Sequence, residues 1–150
     1  MDAILLDTDV FSFLLRRGDT RGELYRPLVK DKTIALSFVS VGELYVWSVK
    51  RKWAAKTIAA FEEKLKATVI VPYDLELCRE YGRVKASLPE GRVVPANDLW
   101  IAVCAIRHSI PLLTHNQKHF EGIPRLKLIS QTEKPEVPKA TTLFDPAEGN

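Results

Sequence analysis

Ile4-Leu5-Leu6-Asp7-Thr8-Asp9 is an apolar run of strand length that ends abruptly in a carboxylate, a hydroxyl and a second carboxylate. Two further acids open helical patterns after apolar or β-prone runs. They are Glu43, in Ser40-Val41-Gly42-Glu43-Leu44, and Asp98, in Ala96-Asn97-Asp98-Leu99-Trp100. In an open parallel sheet, ligands bind outside the carboxyl ends of the strands. Acids delivered to that edge from distant parts of the chain repel one another unless a positive charge sits between them. The simplest such charge is a divalent metal ion.

Working outward, apolar runs alternate with helical patterns. Strands are expected near residues 3–6, 34–37, 69–71, 111–113 and 126–129. Val10–Arg16 reads as a helix capped by Thr8 or Asp9. Residues 21–31 form a second helical piece weakened by Pro27. Helical spacing recurs over Ser40–Lys52 and through Ala54, Ile58, Phe61 and Leu65. Asp74 caps a helix that stops near Pro89 and Gly91. Asn97 caps Leu99–Arg107, which is apolar nearly all round and therefore belongs at the centre of the domain. This βα alternation predicts an α/β fold of three layers, with a central, mostly parallel sheet between helices. Residues 1–130 form one domain, and the proline-bearing segment 131–150 reads as an extended or mobile tail.

At 150 residues, with 46% hydrophobic and 27% charged side chains, the chain has the composition of an ordinary globular protein with one core. No apolar stretch approaches the ~20 residues of a membrane span, and no secretory signal is visible. Cys78 and Cys104 lack CxxC spacing and read as small buried hydrophobes in a reducing cytoplasm. The net charge of +3 divides into −2 over residues 131–150 and +5 over the remainder. The basic groups at Lys50-Arg51-Lys52, at Arg79, Arg83 and Lys85, and at Arg92 suit a solvated helix face; a polyanionic partner is permitted by them.

Each acid alone has a structural explanation. Ser40 with Glu43 fits a capping box, Asp98 suits the positive end of a helix dipole, and Asp9 suits an N-cap. The joint pattern favours chemistry. Asp7 ends an apolar strand, where an unpaired carboxylate is costly, and Thr114 and Asn116 add polar groups at the end of another strand. Oxygen ligands without Cys or His suit magnesium or manganese better than zinc. His115 and His119 have helical spacing, but their loop flank and the lack of a third partner argue against zinc.

Leu6-Asp7-Thr8-Asp9, Val41-Gly42-Glu43-Leu44, Asn97-Asp98-Leu99-Trp100-Ile101-Ala102 and Leu113–Phe120 fall in the order and spacing of the PIN domain. Over residues 3–130 the chain resembles that family, and within it the VapC toxins, the nuclease half of type II toxin–antitoxin pairs. The resemblance implies an endoribonuclease in which Asp7, Glu43 and Asp98 bind magnesium, or manganese, and activate water against an RNA phosphodiester. Asn116 stands where many members carry a fourth aspartate, which leaves a firmly held second metal open. Thr8 and Thr114 match hydroxyls that orient the acids, and Asp9 is an outer ligand or a cap. The resemblance further implies a cognate antitoxin and a homodimer. Arg92, Lys50 and Arg51 are candidate phosphate contacts.

Two rival readings remain at this point. A PIN-like module that has lost catalysis would grip RNA or protein only. A haloacid dehalogenase-like phosphatase also opens on Asp-x-Asp, but Phe11 replaces the usual Thr or Val two residues on.

Overall fold

A computed structural model of the chain describes residues 2–131, so the expected tail lies, beyond Gln131, outside the described residues. The strands are β1 (Ala3–Leu6), β2 (Thr33–Ser37), β3 (Val69–Val71), β4 (Leu112–Thr114) and β5 (Leu128–Ser130). All four pairings are parallel, in the order β3-β2-β1-β4-β5. The helices are α1 (Thr8–Leu15), α2 (Thr20–Val29), α3 (Phe38–Lys50), α4 (Ala55–Lys66), α5 (Leu75–Ser87), α6 (Ala96–His108) and the single turn α7 (Gln117–Phe120).

The pleat divides the core into two layers, because successive strand residues point to opposite faces. Leu5, Ala35 and Leu112 face one cluster with Leu77 and Val84 of α5 and the apolar length of α6. Ile4, Leu6, Leu36 and Leu113 face the other, with Phe11 of α1, Tyr25 of α2 and Phe61 of α4. The sheet thus lies between two helical layers, as the βα alternation predicts. Its chain order reverses between β1 and β4, which places a switch point at the carboxyl ends of those two strands. None of the described helices is long and apolar enough to cross a membrane.

Helix α6 is the buried one: Leu99 and Ile101–Ile106 are all shielded from solvent. Helix α2 tolerates Pro27 two residues before its end, held by buried Gly22 and Tyr25. The helix starts differ from expectation. Asp7, not Thr8 or Asp9, caps α1, because β1 turns into α1 within one residue and only Asp7 keeps extended backbone there. Strand β2 runs straight into α3, so Ser37 is the cap. Ser40 and Glu43 therefore sit inside the helix and form no capping box. Helix α6 begins at Ala96 with Pro95 at the cap position and no side-chain cap bond, so Asn97 is freed from that role. Asp74 does cap α5, accepting from the Leu77 amide at 2.7 Å. Cys104 is buried as expected, whereas Cys78 is exposed on α5.

Two glycines test this packing in opposite senses. A Cβ on Gly22 would meet the Phe13 carbonyl at 2.7 Å, where α1 and α2 approach closely. Gly22→Ala should lower stability by about 1 to 3 kcal/mol through overpacking. Gly82, exposed on α5, has nothing within 4 Å of that position. Gly82→Ala should instead raise stability by about 0.5 to 1 kcal/mol by removing backbone entropy from the unfolded chain. Urea unfolding of both variants checks this, and equal effects would contradict the described α1–α2 contact.

Candidate active site

The carboxyl edge of the sheet gathers acids from three separated elements. Asp7 follows β1 and caps α1, Asp9 lies in the first turn of α1, Glu43 lies inside α3, and Asp98 lies in the first turn of α6. All four line one cavity of about 190 Å³, together with Thr8 and Asn116. Since a buried water needs only about 10 to 15 Å³ on this measure, the space admits an ion with several waters. Trp47, Ile101, His119 and Phe120 complete the wall.

Each carboxylate is held by a neighbour of different origin. Asp7 accepts from the Val10 amide at 2.9 Å and from the Thr114 hydroxyl at the end of β4. Glu43 accepts from Thr8 Oγ1 at 2.5 Å and from Asn97 Nδ2 at 2.9 Å, so α1, α3 and α6 meet at one side chain. Buried Ser40 supports Thr8 at 2.8 Å. Asp98 Oδ2 lies 2.7 Å from His119 Nδ1. Thr114 also accepts the Asn116 amide proton at 2.9 Å, which sets the turn after β4. The hydroxyls of Thr8 and Thr114 thus each donate to one of these acids.

Burial raises the Asp7 carboxyl from 3.8 to about 7, although the Thr114 and Val10 hydrogen bonds oppose the shift. Asp9 is also raised, by burial first and then by the negative charge of Glu43. Asp98 is raised by burial against the pull of His119. The cavity is therefore short of positive charge. Among the described residues, however, no three His, Cys, Asp or Glu side chains stand, as placed, close enough together to hold a metal ion. The carboxylates face a common space while each is drawn onto its own protein donor.

The basic residues separate into different environments. Arg92 Nη2 donates to the carbonyls of His119 and Glu121, at 3.2 and 2.9 Å, which makes it a clamp on α7. Arg51 stacks on Trp47, 4.2 Å from the ring centroid, and its charge reaches Asp9. Lys50 is exposed beside it. Arg79 and Arg83 pair with Glu76 and Glu80 along α5, the solvated helix face anticipated for them.

Residues 4–126 match the PIN domain. The chain belongs to the PIN domain family. Ribonuclease VapC2 of Rickettsia felis is 29% identical over 126 residues, covering 83% of this chain and 94% of that protein. Ribonuclease VapC1 of Haemophilus influenzae is 28% identical over 125 residues, covering 82% and 93%. The structure of VapBC2 from Rickettsia felis, bound to a DNA fragment from the promoter, superposes with a TM-score of 0.74 at 27% identity, covering 86% of this chain and 98% of that one.

Three residues of this PIN domain's site escaped the sequence reading. Asn97, a cap by its sequence position, donates to Glu43. His119, a zinc candidate by spacing and part of the Leu113–Phe120 motif, contacts Asp98. Trp47, within the helical stretch Ser40–Lys52, lines the cavity. The one local signal was that His119 follows Asn116 by three residues, the spacing that brings two side chains together on a turn.

A carboxyl raised in the folded state binds its proton more tightly there, so its contribution to stability is full below about 3.8 and is lost as pH rises through about 7. Asp7→Asn is neutral throughout that window. In chelator, its thermal midpoint relative to wild type should climb between pH 5 and pH 8. A constant difference across that range would contradict the described burial of Asp7.

Proposed function

We propose that this PIN domain is an endoribonuclease of the VapC kind, the toxin of a toxin–antitoxin pair, and that Asp7, Glu43 and Asp98 are its metal-binding acids. The observation that carries this reading is the gathering of Asp7, Asp9, Glu43 and Asp98 around one cavity at the sheet's switch point. Separate capping roles would not require such convergence. The names borne by the relatives, Ribonuclease VapC and the VapBC complexes, support the activity and the class of partner.

The donor set fits a hard divalent cation. It consists of oxygen ligands, it is short of positive charge, and its cavity has room for retained waters. Magnesium is the proposed ion, with manganese an acceptable substitute. Bound there, such an ion supplies Lewis acidity to the phosphate and a more acidic water.

The chain's own groups set the conditions for that chemistry. Thr114 and the Val10 amide aim Asp7, Thr8 and Asn97 aim Glu43, and His119 holds Asp98. Burial of Asp7 keeps its charge poorly solvated, so it interacts strongly with a cation. Asn116 adds a neutral oxygen in place of a fourth carboxylate. Arg51, stacked on Trp47 of the cavity wall, and its exposed neighbour Lys50 are the proposed phosphate contacts, whereas the carbonyl bonds of Arg92 suit a clamp. We assign Thr8, Thr114 and Asn116 supporting roles and Asp9 an outer one. RNA, a cognate antitoxin and a second copy of the chain are the proposed partners, and a reducing cytoplasm is the proposed location. Asn116 favours a silent binding module, but the convergence of the acids goes against it. The phosphatase reading lapses with membership of the PIN domain family.

Asp98→Asn keeps size and helix-start polarity while removing one charge. The variant should fold as wild type and lose magnesium-dependent RNA cleavage by a factor on the order of 10² or more, consistent with several kcal/mol lost at the metal site. A well-folded variant that cuts RNA at the wild-type rate would contradict the role given to Asp98.

A further inference from the structure

We infer that His119 is a positioning residue, which through the Nδ1 side of its ring sets the Asp98 carboxylate for the metal; this rests on the ribonuclease reading above. Asp98 stands in the first turn of α6, a helix that begins without any side-chain cap bond. Among the described residues, no backbone amide of α6 holds its carboxylate. The contact that holds it comes from α7, where His119 Nδ1 lies 2.7 Å from Asp98 Oδ2. A carboxylate oxygen accepts, so the ring nitrogen is the donor.

The turn bearing His119 is itself fixed from both sides. Arg92, in the loop leading into α6, donates one nitrogen to the His119 and Glu121 carbonyls. Asn116 donates its backbone amide to Thr114 Oγ1 and accepts the His119 amide proton on its carbonyl at 3.1 Å. Thr114 in turn donates to Asp7. A continuous strut thus runs from Asp7 through Thr114, Asn116 and His119 to Asp98. It ties an acid of β1 to an acid of α6, and so sets the distance across which a shared cation would be held. Metal ligands held by such an outer partner characteristically lose about 10- to 100-fold in metal affinity or activity when the partner is removed.

The atom that donates distinguishes positioning from bulk. The Asn side-chain nitrogen occupies the place of His Nδ1, one bond from Cγ, whereas the Gln nitrogen lies one bond further out. Manganese affinity by electron paramagnetic resonance and RNA cleavage kinetics should be measured for wild type, His119→Asn, His119→Gln and His119→Ala, with thermal midpoints in chelator as the fold control. Gln and Ala should weaken manganese binding at least tenfold and lower kcat with KM for RNA unchanged. Asn should stay within about threefold of wild type. Gln that binds and cleaves like wild type overturns the inference, and so does Asn that falls as far as Gln. A wild type that neither binds manganese nor cleaves RNA overturns the underlying ribonuclease reading instead, and this inference with it.

Discussion

The buried Asp7 carboxylate constrains everything around it. Only 5% exposed, it stands where an apolar strand at the middle of the sheet gives way to a helix. An ionised group there needs donors, and the nearest sources are the open N-terminus of α1 and the end of β4. The Val10 amide and the Thr114 hydroxyl meet that need. Together they hold α1 close over β1 and bring the turn after β4 against the same point. Even so, the carboxyl is pushed up to about 7, so the protein alone does not balance its charge.

That imbalance is shared. Asp9 and Asp98 are raised as well, again mainly by burial, and Glu43 adds its charge to both. Four acids around one space work against the fold when the space holds only water, because each desolvated charge repels the others. A divalent cation reverses the balance. The same burial that destabilises the acids concentrates their field on whatever positive charge enters. The hydrogen bonds from Thr8, Asn97, Thr114 and His119 limit how far the carboxylates can move apart in the meantime. Architecture and proposed chemistry follow from one electrostatic fact at the switch point of the sheet.

The elements readable in advance are those encoded by short-range pattern. β1 is a compact apolar run closed by an acid, and α6 is apolar on every side, so their places at the middle of the sheet and within the core follow directly. The acids stood out because each follows such a run. The helix starts were less accessible: β1 joins α1 through the single residue Asp7 and β2 runs directly into α3, so the cap shifts to the last extended residue. The supporting contacts lay further off still. Asn97 reaches Glu43 across 54 positions, His119 reaches Asp98 across 21, and Arg92 reaches the Glu121 carbonyl across 29. Such pairings depend on how helices pack on the sheet, which no local spacing records. Arg92 looked like a surface cation for that reason, although its guanidinium binds backbone carbonyls.

The proposal that these acids form a metal centre has a crystallographic consequence. Crystals of the protein soaked in manganese and examined by anomalous scattering test it most directly. A single strong peak is expected in the cavity, at inner-sphere distance (roughly 2.1 Å, as for magnesium) from carboxylate oxygens of Asp7 and of Glu43 or Asp98. A cavity without a peak at millimolar manganese, or with a peak held elsewhere on the surface, would contradict it.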